Sequence, residues 1–164
     1  MDMPNNAIRR TRIRRTAEFY HSSMPESDFK ELAVQSGVFS RFSVDPDFPG
    51  EKFIALYTLW IRKSIHKEIA DEVLVIREGE KAAGMVTLDH KDGKGDIGLL
   101  SVSQECRGKK YGEMLVRGAQ CWFMDHSCRF GQVVTQGDNT AACALYQKCG
   151  YSVGKVEFFY HFWL

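Results

Sequence analysis

From Phe53 to Ile65 the apolar positions Phe53, Leu56, Tyr57, Trp60, Ile61 and Ile65 recur at spacings of three and four. That period predicts an amphipathic helix with Tyr57 and Trp60 on its buried stripe. Upstream, Pro25-Glu26-Ser27-Asp28 precedes Phe29, Leu32 and Ala33, a capped short helix that ends at Gly37. An irregular loop from Val38 to Gly50 separates the two helices. The pattern then changes period. Val73 to Ile76, Ala82 to Leu88 and Ile97 to Val102 are short apolar runs punctuated by Glu78-Gly79-Glu80 and Asp92-Gly93-Lys94-Gly95, which predicts a three-stranded meander. A helix opens near Tyr111 with Leu115, Ala119, Trp122 and Phe123 on one face. Gln132 to Gln136 is expected as a strand, Asn139 to Lys148 as a helix closed by Gly150, and Val156 to Leu164 as an aromatic-rich strand. At the other end Ile8 to Arg15, with five Arg in eight positions, suits an edge strand carrying solvated charge.

The meander implies antiparallel pairing, and the two helical crossovers after it imply parallel neighbours. The expected fold is α/β (α+β): one mixed, mostly antiparallel sheet of about six to seven strands flanked by about four helices. A length of 164 residues suits a single domain over 1–164. With 22 basic and 21 acidic residues the formal charge is +1, so a protein that coats a polyanion is not expected. The five cysteines contain no C-x-x-C pair and the histidines stand apart from them, which argues against a zinc site. The N-terminus lacks the apolar run of a signal peptide, and no stretch approaches the ~18 apolar residues of a membrane span. A cytoplasmic protein is the expectation.

Two junctions carry chemistry. Arg107-Gly108-Lys109-Lys110-Tyr111-Gly112-Glu113 leads from a strand into a helix. A Gly- and Lys-rich turn there presents free backbone N–H groups at the positive end of the helix dipole, an arrangement that grips a pyrophosphate. It equally suits a plain connection with solvated lysines. In the second junction, Asn139 is a natural N-cap and Gly150 a natural residue just past the helix end. Asn139 and Tyr146 lie seven apart, so they project from nearly the same helical face.

Together these segments resemble the two signature motifs of the GNAT superfamily of acyl-CoA-dependent N-acetyltransferases. The first motif maps onto Arg107, Lys110 and Gly112, with Lys110 where a Gly is usual. The second maps onto Asn139, Ala142, Tyr146, Gly150 and Tyr151. A narrower resemblance is to the catalytic domain of dTDP-fucosamine acetyltransferases. It rests on Ser40-Arg41-Phe42, the Trp60-Ile61 helix, Ile97-Gly98-Leu99-Leu100, Thr135-Gln136 with Asn139, and the terminal strand with Tyr160 and Trp163. Those enzymes carry an additional N-terminal domain, for which 164 residues leave no room.

The resemblance implies the GNAT fold, acetyl-CoA as co-substrate, no metal, and direct attack of an amine on the thioester. It implies that Leu100, Ser101 and Val102 offer backbone groups to the pantetheine arm, that the turn from Arg107 to Glu113 (Arg107, Gly108, Lys109, Lys110, Tyr111, Gly112 and Glu113) holds the pyrophosphate, and that Asn139 contacts the pantetheine. Tyr146 would be the acid that meets the departing thiolate. A free phenol titrates near ~10 and a thiol near ~8.5, so full transfer is uphill by about 2 kcal/mol. The residue where many members carry a basic Glu is Gly98, and no base is assigned. Arg41 and Asp45 are candidates for the acceptor pocket, Arg41 for a diphosphate and Asp45 for a hydroxyl or an ammonium, or else partners in a loop salt bridge. His161 and Trp163 would line the same cleft or pack in the core. The expected partner is a small-molecule amine, foremost a nucleotide-linked amino sugar, with no nucleic acid and no membrane; a homodimer is compatible. The alternatives are another amine (polyamine, aminoglycoside, protein N-terminus), a non-catalytic acyl-CoA sensor, and nucleic-acid binding through Arg9 to Arg15.

Overall fold

Side chains of β2 (Glu72–Glu78) alternate between two helical layers: Val73 and Val75 face one, Leu74 and Ile76 the other. A strand covered on both faces needs apolar residues throughout, which Val73 to Ile76 supplies. The computed structural model describes residues 17–163. Its sheet has five strands in chain order: β1 (Glu18–Phe19), β2, β3 (Lys81–Lys91), β4 (Lys94–Val102) and β5 (Phe130–Val133). The first three pairings are antiparallel and β4 pairs with β5 in parallel. Asp92 and Gly93 both take positive φ in the two-residue turn from β3 to β4, as such a tight hairpin requires.

Helices α1 (Glu26–Ser36) and α3 (Gly50–Ile65) cover one face through Phe29, Leu32, Ala33, Phe53, Tyr57 and Ile61. Between them lies the short α2 (Arg41–Val44). Helices α4 (Tyr111–Asp125) and α5 (Thr140–Lys148) cover the other face through Leu115, Val116, Ala119, Trp122, Phe123 and Tyr146. The expected class and mixed sheet are observed, with five strands rather than six to seven and five helices rather than four among the described residues. The loop from Val38 to Gly50 contains α2, a single turn too short to leave a periodic signal. Of the two stripe aromatics, Tyr57 is buried and Trp60 is 36% exposed.

Two strand expectations fail. The fifth strand begins earlier and ends at Val133 rather than Gln136. Residues 151–163 form no strand or helix, although Val156 to Leu164 has strand-like composition. Phe158, Tyr160 and Phe162 are each at least 75% exposed, because among the described residues no strand pairs with this segment, and strand propensity needs a partner. The basic run from Ile8 to Arg15 lies outside the described residues.

Candidate active site

The sheet opens where β4 outruns β5. Pairing between them stops at Ile97↔Val133, while β4 continues five residues to Val102. A bulge lies at the parting point. Val86 pairs with Leu100 and Leu88 with Ile97, so Gly98 and Leu99 together oppose Thr87. A Cβ on Gly98 would sit 2.5 Å from Thr87 Oγ1. The same hydroxyl accepts the Leu99 N–H at 2.8 Å. The extra residue switches faces: Ile97 packs in the α4 layer, Leu99 in the α1–α3 layer, and Leu100 and Val102 again against α4.

Beyond the bulge one edge of β4 is unpaired. Leu99 N–H and Ser103 N–H both bond toward β3, the latter to Ala83 O at 2.8 Å. Strand alternation therefore turns the N–H groups of Leu100 and Val102 toward the open edge. Gln35, at the end of α1, reaches this strand and donates its amide to Val102 O at 2.5 Å and to Ser101 Oγ at 3.1 Å. Nothing in the sequence marks Gln35, which is 66 residues from Ser101.

After a short 3₁₀ turn at Gln104–Cys106, the chain enters α4 through Gly108 (φ +81°) and Lys110 (φ +64°). Lys110 thus takes the left-handed conformation itself, without the glycine usual at its position. No side chain caps α4. The first-turn N–H groups of Tyr111, Gly112 and Glu113 have no intrahelical acceptor within reach and carry the positive end of the dipole.

The side chains of this turn divide sharply. Lys109 Nζ and Tyr111 OH both contact Glu78 Oε1 on β2, at 2.5 and 2.7 Å. The Lys109 ammonium and the Tyr111 hydroxyl hold the Glu78 carboxyl below its usual range. Glu113 is tied to Lys148 at 2.8 Å, which lowers its pKa as well. These three side chains are committed to the protein and leave backbone donors to a ligand. Arg107 and Lys110 are exposed and form no salt bridge among the described residues. Gly112 serves packing, since a Cβ there would meet Leu145 at 3.1 Å.

Across the opening, Asn139 Oδ1 caps α5 by accepting the Ala142 N–H at 3.2 Å. Its amide N–H₂ keeps its donors. The far end of α5 closes with Gly150 N–H on Gln147 O and Tyr151 N–H on Tyr146 O, both at 3.0 Å, with Gly150 at φ +94°. That closure brings the rings of Tyr146 and Tyr151 edge to face, 5.7 Å apart. Burial raises the Tyr146 phenol well above its ordinary value and pushes Tyr151 up to about 12. Tyr146 therefore stays protonated at neutral pH and keeps a hydroxyl proton to donate.

Arg41 and Asp45 come together with the C-terminal segment. Asp45 Oδ2 accepts from His161 Nδ1 and, at 3.3 Å, from Trp163 Nε1, while Oδ1 accepts the Asp47 N–H at 2.9 Å. The His161 bond, then the Asp47 bond, keep the Asp45 carboxyl below its usual range. Arg41 does not pair with Asp45; its guanidinium lies 4.8 Å from the ring centres of both Phe42 and Phe159. Arg41 and Asp45 form no salt bridge with each other among the described residues; Asp45 instead pairs with His161, and neither His161 nor Trp163 is packed in the core. Two buried side-chain oxygens lack partners among the described residues: Ser40 Oγ at the start of α2, and Tyr151 OH beside β5. Such atoms call for a ligand or water.

A cavity of about 210 Å³ lies between α1 and the end of β4, with Gln35 and Ser103 in its wall. A larger one, about 750 Å³, lies toward the β1 edge between β2 and α4, away from the parted strands. No group of three or more His, Cys, Asp or Glu suited to a metal occurs among the described residues, and no described helix is long and apolar enough to cross a membrane.

The architecture matches solved structures over most of the chain. A PaiA N-acetyltransferase from Thermoplasma acidophilum, in complex with coenzyme A, superposes with a TM-score of 0.69 at 15% identity, over 87% of this chain and 93% of that one. An aminoglycoside 6′-N-acetyltransferase from Acinetobacter haemolyticus gives 0.65 at 15% identity, over 90% and 98%. At these identities the likeness is one of fold. In sequence, a streptothricin acetyltransferase from Escherichia coli is 34% identical over 60 residues, 37% of this chain and only 34% of that protein. The acetyltransferase (GNAT) family model matches residues 38–151, which spans the parted strands, the α4 turn and α5, and the chain belongs to that family.

Proposed function

We propose that this protein is an acetyl-CoA-dependent N-acetyltransferase acting on the primary amine of a small molecule, with nucleotide-linked amino sugars of the dTDP-4-amino-dideoxyhexose type as the acceptor class. The observation that carries the reading is the free edge of β4 from Leu100 to Val102, leading directly into the uncapped, left-handed entry of α4. Such a surface fits an extended ligand with an anionic end. Acetyl-CoA supplies the acetyl group as a thioester. The chain would meet the pantetheine arm with the Leu100 and Val102 N–H groups, one of them polarising the thioester carbonyl. The N–H groups from Gly108 to Glu113 would take the pyrophosphate, with Arg107 and Lys110 as mobile cations. Asn139 would offer its amide N–H₂ to the pantetheine. Tyr146 would donate a hydrogen bond to the sulfur as it becomes a thiolate.

The acceptor class rests on the narrower resemblance at Ser40-Arg41-Phe42 and on the terminal aromatics. In the structure these lie together, around a guanidinium between two rings. The relatives named for streptothricin and aminoglycosides support a small-molecule amine more broadly.

Thermal shift with acetyl-CoA is the first test. A ligand at a hundred times its dissociation constant adds about 2.7 kcal/mol of stability. A thiol-release screen over nucleotide amino sugars, aminoglycosides, streptothricin and polyamines then identifies the acceptor. No shift with acetyl-CoA overturns the reading. A shift without release for any amine favours a non-catalytic acyl-CoA-binding protein.

A further inference from the structure

The C-terminal segment leaves the α4–α5 layer at Tyr151 and ends on Asp45, in the turn between α2 and α3. Phe42 and Phe48 of that turn pack against the α1–α3 layer. The segment therefore joins the two layers on the β4–β5 side of the sheet, the side on which the strands part. The turn hangs from the end of α1 where Gln35 grips Ser101 and Val102. Just before α2, Ser40 Oγ is buried without a partner among the described residues.

At the junction of tail and turn sits a His–Asp pair. A carboxylate only accepts hydrogen bonds, so the contact places the proton of His161 on Nδ1 and the lone pair on Nε2. Nε2 has no hydrogen-bond partner among the described residues. The His161 side chain is 22% exposed and that of Asp45 only 12%. Asp45 is saturated by His161, Trp163 and the Asp47 N–H, and so has little capacity left to bind a substrate ammonium directly. His161 contacts Asp45, Phe42 and Trp163; the other charged or titratable residues of the turn and tail are Arg41, Asp47, Lys155, Glu157 and Tyr160.

We propose that His161 is the proton acceptor for the attacking amine and that Asp45 is its positioning residue. The inference rests on the acetyltransferase reading and supplies the base that Gly98 does not. As the C–N bond forms, the proton leaving nitrogen passes to His161 Nε2. The C–S bond breaks, and the sulfur leaves as a thiolate that accepts a hydrogen bond from Tyr146, which keeps its proton. The imidazolium then releases its proton to solvent, and the thiolate takes one up from solvent.

The test uses the full chain. With the amine found in the thiol-release screen, His161→Gln should lose the acidic limb of the kcat/KM profile. It should also fall by roughly 10²-fold or more, the span of general base catalysis. His161→Ala should regain turnover when imidazole is added to the buffer. Asp45→Asn should move the acidic limb to lower pH, because the imidazolium loses its counter-charge. Both His161 variants should keep the wild-type thermal shift with acetyl-CoA, which shows that they are folded and loaded. Independently of turnover, ¹⁵N spectra of the wild-type imidazole should show Nδ1 protonated. An unchanged rate and acidic limb in His161→Gln overturn the proposal, as does a proton on Nε2 in the wild type. Absence of turnover by the wild type with every amine removes the acetyltransferase reading, and the inference with it.

Discussion

Gly98 illustrates how one residue is fixed by a neighbour that is remote in sequence. Thr87 Oγ1 occupies the space of a Cβ and also holds the Leu99 N–H, so position 98 has room for hydrogen alone. Gly98→Ala should destabilise by about 1–3 kcal/mol, the usual cost of overpacking, measured by urea unfolding. From the sequence, Gly98 is visible only as a missing carboxylate, because the contact with Thr87 exists only once β3 and β4 pair. Tyr146 is legible as an aromatic seven residues after a cap, but its burial is a property of the core that α5 shares with α4. A raised phenol pKa makes full proton loss harder and leaves hydrogen bonding intact. Tyr146→Phe should therefore lower thiol release far more than it lowers the acetyl-CoA thermal shift. Tyr151 behaves differently. Its folded pKa, about 12, exceeds the unfolded value near ~10, so its contribution is complete below pH ~10 and is lost as pH rises through about 12. Tyr151→Phe should flatten that alkaline loss. It should also raise stability by about 1 kcal/mol, since the buried hydroxyl has no partner. Chemical unfolding at neutral and alkaline pH measures both effects.

Among the elements, α5 is the most legible, because its boundaries are written in local chemistry: an Asn cap and a Gly past the end; α4 shares only the apolar face at helical spacing. The entry to α4 is less legible. Lys110 gives no hint of a left-handed conformation, which costs an L-residue roughly 1–2 kcal/mol. Lys110→Gly removes that strain but adds glycine's entropy cost of roughly 0.5–1 kcal/mol. The net expectation is a small gain in melting temperature, with the acetyl-CoA shift retained, since a mobile side chain is lost and the backbone donors remain. The final aromatic segment shows the opposite failure. Its composition predicts a strand, yet strand formation is decided by a partner, and residues 151–163 have none in the structure.

For the molecule as a whole, a net charge of +1 offers no bulk field for an anion, so on the proposed reading the α4 turn would have to hold it; there Arg107 and Lys110 form no salt bridge among the described residues, while Lys109 holds Glu78 of β2 and Lys148 holds Glu113. The tail contributes little to the core, since Val153, Val156, Phe158, Phe159, Tyr160 and Phe162 are each more than 60% exposed. Removing residues 153–164 should accordingly leave a cooperative melt close to that of the full chain, while thiol release is lost with His161; calorimetry and the release assay separate the two. The layered architecture is legible in the periodicity, whereas the parting of the sheet is not. Along β4 the buried positions Gly95, Ile97, Leu99 and Ser101 alternate without a break, although Ile97 and Leu99 face opposite layers. A strand buried on both sides hides its own half-turn. Deleting Gly98 would straighten β4 with Leu99 still facing opposite to Ile97, but would remove the bulge at the point where β4 leaves β5. Adding or removing a residue in a hairpin turn or in the tail would disturb neither layer. Natural length variation among relatives of this chain is therefore expected in the turns and the tail, and not between Lys94 and Val102.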